Sequence, residues 1–133
     1  MDFIPFFRIA IALLYAFMLG EAGLNKLLSG PMPDWFAEPF RKTWLGKLPI
    51  APMYWMIALS EVAIAGVAAA SVVMGEPWGE PTLLSAVCLG ASVLFTGLCF
   101  GQRVIGDYAG AASAFVYSAL SILLFGALQL IGA

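Results

Sequence analysis

MYWMIALSEVAIAGVAAASVVM, residues 53–74, carries a single charged side chain, Glu61, in a run otherwise made of apolar and small residues. About 20 such residues are what an α-helix needs to cross the hydrocarbon of a bilayer. Three more runs share the pattern, at about Phe6–Leu28, Thr82–Phe100 and Ile105–Ile131. The whole chain is of the same character: 62% of its 133 residues are hydrophobic, 11% are charged, and the mean hydropathy is +0.97. A water-soluble domain of this length would expose much of that as adhesive surface, whereas lipid accepts apolar faces all round a helix. The sequence therefore predicts an all-α fold, a single four-helix membrane domain over residues 1–133. The first run is long for a signal peptide and has Glu21 and Lys26 where a cleavage site needs small residues, so it reads as a retained span.

The three connections differ in kind. Ser29–Pro52 is long, holds five prolines, and sets Trp35, Phe36, Phe40 and Trp44 among charged residues. It reads as an amphipathic segment lying in the headgroup layer, rings down and charges up. GEPWGEP (Gly75–Pro81) is short and acidic, and GQRVIGDY (Gly101–Tyr108) is short and carries Arg103. With four spans, the long loop and GQRVIGDY share one side of the membrane and the termini share the other. The loop side has Lys26, Arg41, Lys42, Lys47 and Arg103, and the other has Arg8. The positive-inside rule then places the loop in the cytoplasm and both termini outside, in the inner membrane if the chain is bacterial.

Small residues mark where helices approach closely when no hydrophobic effect drives them together. The second span offers Ala58, Ala65, Gly66 and Ala68–Ala70, and the third Gly90, Gly97 and Gly101. The fourth repeats Gly110, Ala114 and Ser118 every fourth residue, which is one helix face.

Several chemistries are excluded by composition. The net charge of -2, with its cations scattered, offers no stripe for nucleic acid. Histidine is absent, which removes bis-histidine haem, zinc of the HExxH kind and imidazole general bases. On one helix, Cys88 and Cys99 would stand about 16 Å apart along the axis, too far for a disulfide with each other. No CxxC provides a dithiol redox centre. No intrinsic cofactor, metal site or catalytic set is expected.

Polar residues inside the spans are therefore the informative ones. Glu21 stands about seven residues before the end of the first span and Glu61 about eight after the start of the second, so both lie roughly 10 to 12 Å below the same surface. Asn25 shares the face of Glu21, and Lys26 is rotated away from it. Gln102, Arg103 and Asp107 belong to the same end. A carboxylate at the bilayer centre costs about 2.5–3.5 kcal/mol, so each should face a partner or a cavity. Glu21 and Glu61 are expected to pair with Arg103 and Lys26, or one to keep a proton. The cluster Glu21, Asn25, Lys26, Glu61, Gln102, Arg103 and Asp107 then reads in two ways: an ionic clasp fixing helix order, or a pocket for the headgroup of a quinone or lipid. Tyr15 and Tyr54 read as interfacial belt residues and Arg8 as a snorkelling end residue.

In order of features the chain resembles the DoxX-like family of small four-helix membrane proteins. The carrying residues are Arg8, the GEAGLNKL stretch with Gly23 and Lys26, Phe36, the LSEVAIAG stretch with Glu61, and GQRVIGDYAGA. The resemblance implies a left-handed bundle in a redox-linked membrane. Founding members look like subunits of a thiosulfate:quinone oxidoreductase or quinol oxidase system, and relatives serve as assembly factors. It also implies that Lys26, Glu61 and Arg103 matter. Three functions follow as expectations. The first is an accessory or assembly subunit docked to a larger membrane complex, with lipids and other membrane subunits as its partners. The second is a quinone-binding subunit that draws electrons from a partner. The third, a transporter or proton pathway, is disfavoured because four unbroken helices without an inverted repeat offer little for alternating access.

Overall fold

A computed structural model of the chain describes residues 3–47 and 49–130. It is all-helical: α1 (Ile4–Leu28), α2 (Asp34–Arg41), α3 (Ile50–Val73), α4 (Thr82–Val104) and α5 (Tyr108–Leu130), with short 3-10 turns at Trp44–Lys47 and Glu76–Trp78. Among the described residues, α1, α3, α4 and α5 are long and apolar enough to cross a membrane. The chain is a four-helix bundle of a multi-pass membrane protein, as its hydropathy predicts.

The helix ends follow local chemistry and shift some expected boundaries. α3 starts at Ile50 rather than Met53, because Pro52 falls in the first turn, where a missing N–H breaks no intrahelical bond. α4 runs on past Phe100 to Val104, so Gln102 and Arg103 belong to its last turn and not to a loop. The turn after it is only three residues long. Gly106 sits at φ +83°, a left-handed conformation that a side chain would disfavour, and its N–H bonds Arg103 O while Asp107 N–H bonds Gln102 O (2.9 Å). Asp107 then caps the next helix, its Oδ1 accepting from Gly110 N–H (3.0 Å), so α5 begins at Tyr108 and not at Ile105. Ile131, which the fourth run included, lies outside the described residues.

Buried positions trace the packing. On α3 they are Tyr54, Ala58, Glu61, Ala65, Ala68 and Ser71, and on α1 Arg8, Ile11, Ala12, Tyr15, Leu19 and Gly23. Steps of three and four are the seam of helices that stay in contact along their length. α1 packs chiefly on α3 and α4 chiefly on α5, and α3 against α4 joins the two pairs. The closest approach is at Gly23. A Cβ there would lie 2.6 Å from Val62 Cγ2 and 3.0 Å from both Ala58 O and Val62 N. Only glycine lets the α1 and α3 backbones come that near.

On the second pair, Ala111, Ala114 and Ser118 of α5 are buried, as the small-residue repeat anticipates. Ser118 donates to Ser92 O (3.0 Å) and shares a hydrogen bond with Thr96 (2.8 Å), tying α5 to α4. Of the small residues expected to pack, Gly66, Ala69 and Gly97 instead face outward. Cys88 and Cys99 are both free.

Tyr15 and Tyr54 are not belt residues. Tyr15 is buried inside the bundle with its hydroxyl 2.6 Å from Ser121 Oγ, which links α1 to α5. Tyr54 is buried on the α3 seam with its ring 4.9 Å from that of Phe36. With its hydroxyl partnered by Ser121, Tyr15 is carried into the apolar core at little cost. Arg8 is likewise no snorkelling residue. It is 5% exposed, and its Nη1 donates to Gly79 O (2.5 Å) and Pro77 O (3.4 Å) in the turn between α3 and α4. That turn is also held by Glu76, whose carboxylate accepts from the N–H groups of Leu83 and Leu84 and so caps α4.

Candidate functional site

The expected amphipathic loop contains α2, and it folds across one end of the bundle. Phe36 lies on Tyr54 of α3, Phe40 covers Gly101 of α4, and the rings of Trp44 and Phe100 are 6.1 Å apart. Ala37 is fully buried beneath the helix, while Trp35 is exposed and Glu38 and Arg41 pair on the outer face (3.2 Å). Apolar side chains thus anchor α2 over the start of α3 and the end of α4.

Beneath it, Lys26 Nζ donates to Glu61 Oε1 in an ion pair between α1 and α3. The two partners are unequally buried, the Glu61 side chain being 5% exposed and that of Lys26 25%. Glu61 is on the α3 seam, three residues from Ala58 and four from Ala65. Lys26 extends the α1 seam, three residues past Gly23, so the close crossing at Gly23 sets the separation across which the pair forms.

The expected arrangement of Glu21 is corrected here. On a helix with 3.6 residues per turn, Glu21 is rotated about 200° from both Leu19 and Gly23, which face α3. Glu21 is accordingly exposed, and it makes no ion pair or hydrogen bond among the described residues. It is not a partner of Glu61. Together with Ala22, Asn25, Lys26 and Ser29 it forms one wall of an open cleft of about 440 Å³, whose other wall is Pro31, Pro33, Trp35 and Tyr54. The volume is within the range of small-molecule sites, about 300–1,000 Å³. Asn25 is exposed in this wall, and its backbone oxygen accepts from Ser29 at the end of α1.

The other three residues of the expected cluster do not join the site. Arg103 is exposed and sits 5.0 Å from the centroid of the Tyr108 ring, a cation–π contact within its own turn. Asp107 is committed to capping α5. With its amide turned so that the nitrogen faces acceptors, Gln102 donates to Gly110 O (2.9 Å) and Leu98 O (3.2 Å), closing the α4–α5 junction. Arg103 therefore pairs with neither Glu21 nor Glu61. Each of these three side chains instead finds a partner within a turn or two of itself.

Two site residues escaped the sequence reading, Tyr54 and Trp35. A signal for Tyr54 exists: counted back from Glu61, residues 58 and 54 fall on the same face, so a buried Glu61 implies a buried Tyr54. Trp35 enters the cleft only because the chain turns after α1 and brings α2 against α3, which no local pattern encodes. Chemically, the arrangement offers a carboxylate, an amide, an ammonium with two N–H groups beyond the one given to Glu61, and aromatic faces, all opening at the end of the membrane-spanning region. No protein-family model matches the chain, and neither a curated protein nor a solved structure is detectably similar to it.

Proposed function

We propose that this chain is a small accessory or assembly subunit that lodges the polar headgroup of an amphiphile, a lipid or a quinone, and docks to a larger membrane complex. The observation that carries the reading is the cleft: Glu21, Asn25 and Lys26 on one side and Trp35 and Tyr54 on the other, at the end of the bundle where α1 gives way to the long loop. The Lys26–Glu61 pair supports it by tying α1, which supplies Glu21, Ala22, Asn25 and Lys26 to the lining, to α3, which supplies Tyr54. A chain without histidine has no obvious redox centre of its own, so a bound quinone would depend on a partner for electrons. The resemblance to the DoxX-like family, which rests on short stretches, is in keeping with this role. In the matching orientation the loop end faces the cytoplasm, in accord with Lys26, Arg41, Lys42, Lys47 and Arg103 at that end.

The test is purification of the tagged chain in native nanodiscs, with mass spectrometry of co-purifying proteins and amphiphiles. Larger subunits in fixed ratio are expected, and a bundle that always emerges alone overturns the accessory reading. A second reading, the quinone-binding subunit of an oxidoreductase, draws on the donors that Lys26 and Asn25 could offer to quinone carbonyls. It requires Glu61→Gln to change quinone turnover of the complex at unchanged protein level. Unaltered turnover refutes it.

A further inference from the structure

The charge balance of the cleft narrows the headgroup. The cleft is lined by one carboxylate, Glu21, and one ammonium, Lys26, and that ammonium is already paired with Glu61, which does not itself line the cleft. Glu21 is left facing the cleft without a protein partner among the described residues. A carboxylate about seven residues inside a membrane helix is stable only against a cation or water. An anionic headgroup would bring a further negative charge toward it. An oxidised quinone presents acceptors alone and would displace water from Glu21 with nothing in return. What satisfies the wall is a positive group near Glu21 and a negative group within reach of the remaining N–H groups of Lys26.

We infer, on the reading of the cleft as a headgroup site, that its ligand is a zwitterionic phospholipid of the ethanolamine type. The ammonium is received by Glu21 beside the exposed ring of Trp35, and the phosphate by Lys26 and Asn25. Aromatic faces attract cations through the ring quadrupole, and a cation held between a carboxylate and a ring is favoured over either contact alone. The order along α1 suits such a headgroup: Glu21, Asn25 and Ser29 follow one another at four-residue spacing, with Lys26 on the adjoining ridge. The acyl chains then lie along the exposed apolar surface of the bundle, where Phe17, Met18 and Leu24 of α1 face outward.

The experiment uses the full chain in nanodiscs of phosphatidylethanolamine, phosphatidylglycerol and ubiquinone in equal parts, with native mass spectrometry of the retained adducts. The expected result is phosphatidylethanolamine retained roughly fivefold over phosphatidylglycerol, the scale of one partly exposed charge contact. Glu21→Gln and Trp35→Ala should each abolish most of that preference. Both residues are exposed and outside the packed seams, so helix content by circular dichroism should be unchanged. Retention of phosphatidylglycerol or ubiquinone in preference, or a preference for the ethanolamine lipid that survives Glu21→Gln, overturns the inference while leaving a headgroup cleft in place. If no amphiphile is retained above the bulk ratio, the cleft is not a headgroup site and both readings fall.

Discussion

Unequal burial of the Lys26–Glu61 pair makes the two single substitutions unequal. In Lys26→Met, the Glu61 carboxylate, 4% exposed as a residue, stays inside the bundle without its cation. Removing one partner of a buried pair costs about 3–5 kcal/mol, and because the site is near the membrane surface the lower end applies, about 3 kcal/mol. In Glu61→Gln, the ammonium of Lys26 is a quarter exposed and can extend on its four-carbon stem toward headgroups, so the loss should be about 1 kcal/mol. The double substitution leaves two neutral side chains and should cost about 1.5 kcal/mol, well short of the sum of the singles. Unfolding in mixed micelles, followed by tryptophan fluorescence, measures all three; Trp55 packs on Tyr54 (ring centroids 5.0 Å apart) and reports on this end. The reasoning is refuted if Glu61→Gln destabilises as much as Lys26→Met, or if the double variant loses the full sum.

Gly23→Ala should lower stability in the same assay by about 1–3 kcal/mol, because its Cβ meets α3 backbone as well as Val62, whereas Gly66→Ala, with open space around it, should cause no loss. Glu76→Ala should cost about 1 kcal/mol and speed hydrogen exchange at the Leu83 and Leu84 amides; unchanged exchange there would show that the carboxylate is not their cap. For orientation, a single cysteine at Glu80 should react with an impermeant thiol reagent in intact cells and one at Lys42 only after permeabilisation, in a background of Cys88→Ala and Cys99→Ala. The opposite pattern would invert the proposed topology.

The four spans and their bundle are legible because a bilayer imposes length and hydropathy directly on the sequence, and because caps such as Asp107 are local. The α5 face through Ala114 and Ser118 is legible for the same reason: its period lies within one helix. What fails is rotation. Glu21 and Lys26 were distinguished correctly by angle, yet the bundle faces the side of Gly23 and Lys26, and nothing in the polar residues alone says which. The apolar and small seam Ala12, Tyr15, Leu19 and Gly23 does say it, and its extension reaches Lys26. The pairing of Arg103 with Glu61 failed for a different reason, since a shared depth does not imply contact and Tyr108 was nearer. The contribution of Trp35 depends on a backbone reversal at Ser29–Pro33, and tertiary packing alone decides that.

Arg8 bears on how the protein is made. Its guanidinium is bound by carbonyls 69 and 71 residues later in the chain, in the turn that follows α3. While the ribosome is still synthesising the first three helices, those two carbonyls do not exist, so this part of the guanidinium's hydrogen bonding forms only once they have emerged. The first helix is therefore inserted before its N-terminal end can meet that turn. Its C-terminal half can already lock onto α3 through Gly23 and the Lys26–Glu61 pair, whereas its N-terminal end is tied to the α3–α4 turn only after Gly79 has emerged, so a chain truncated before that turn should fray at that end and be more open to membrane proteases there.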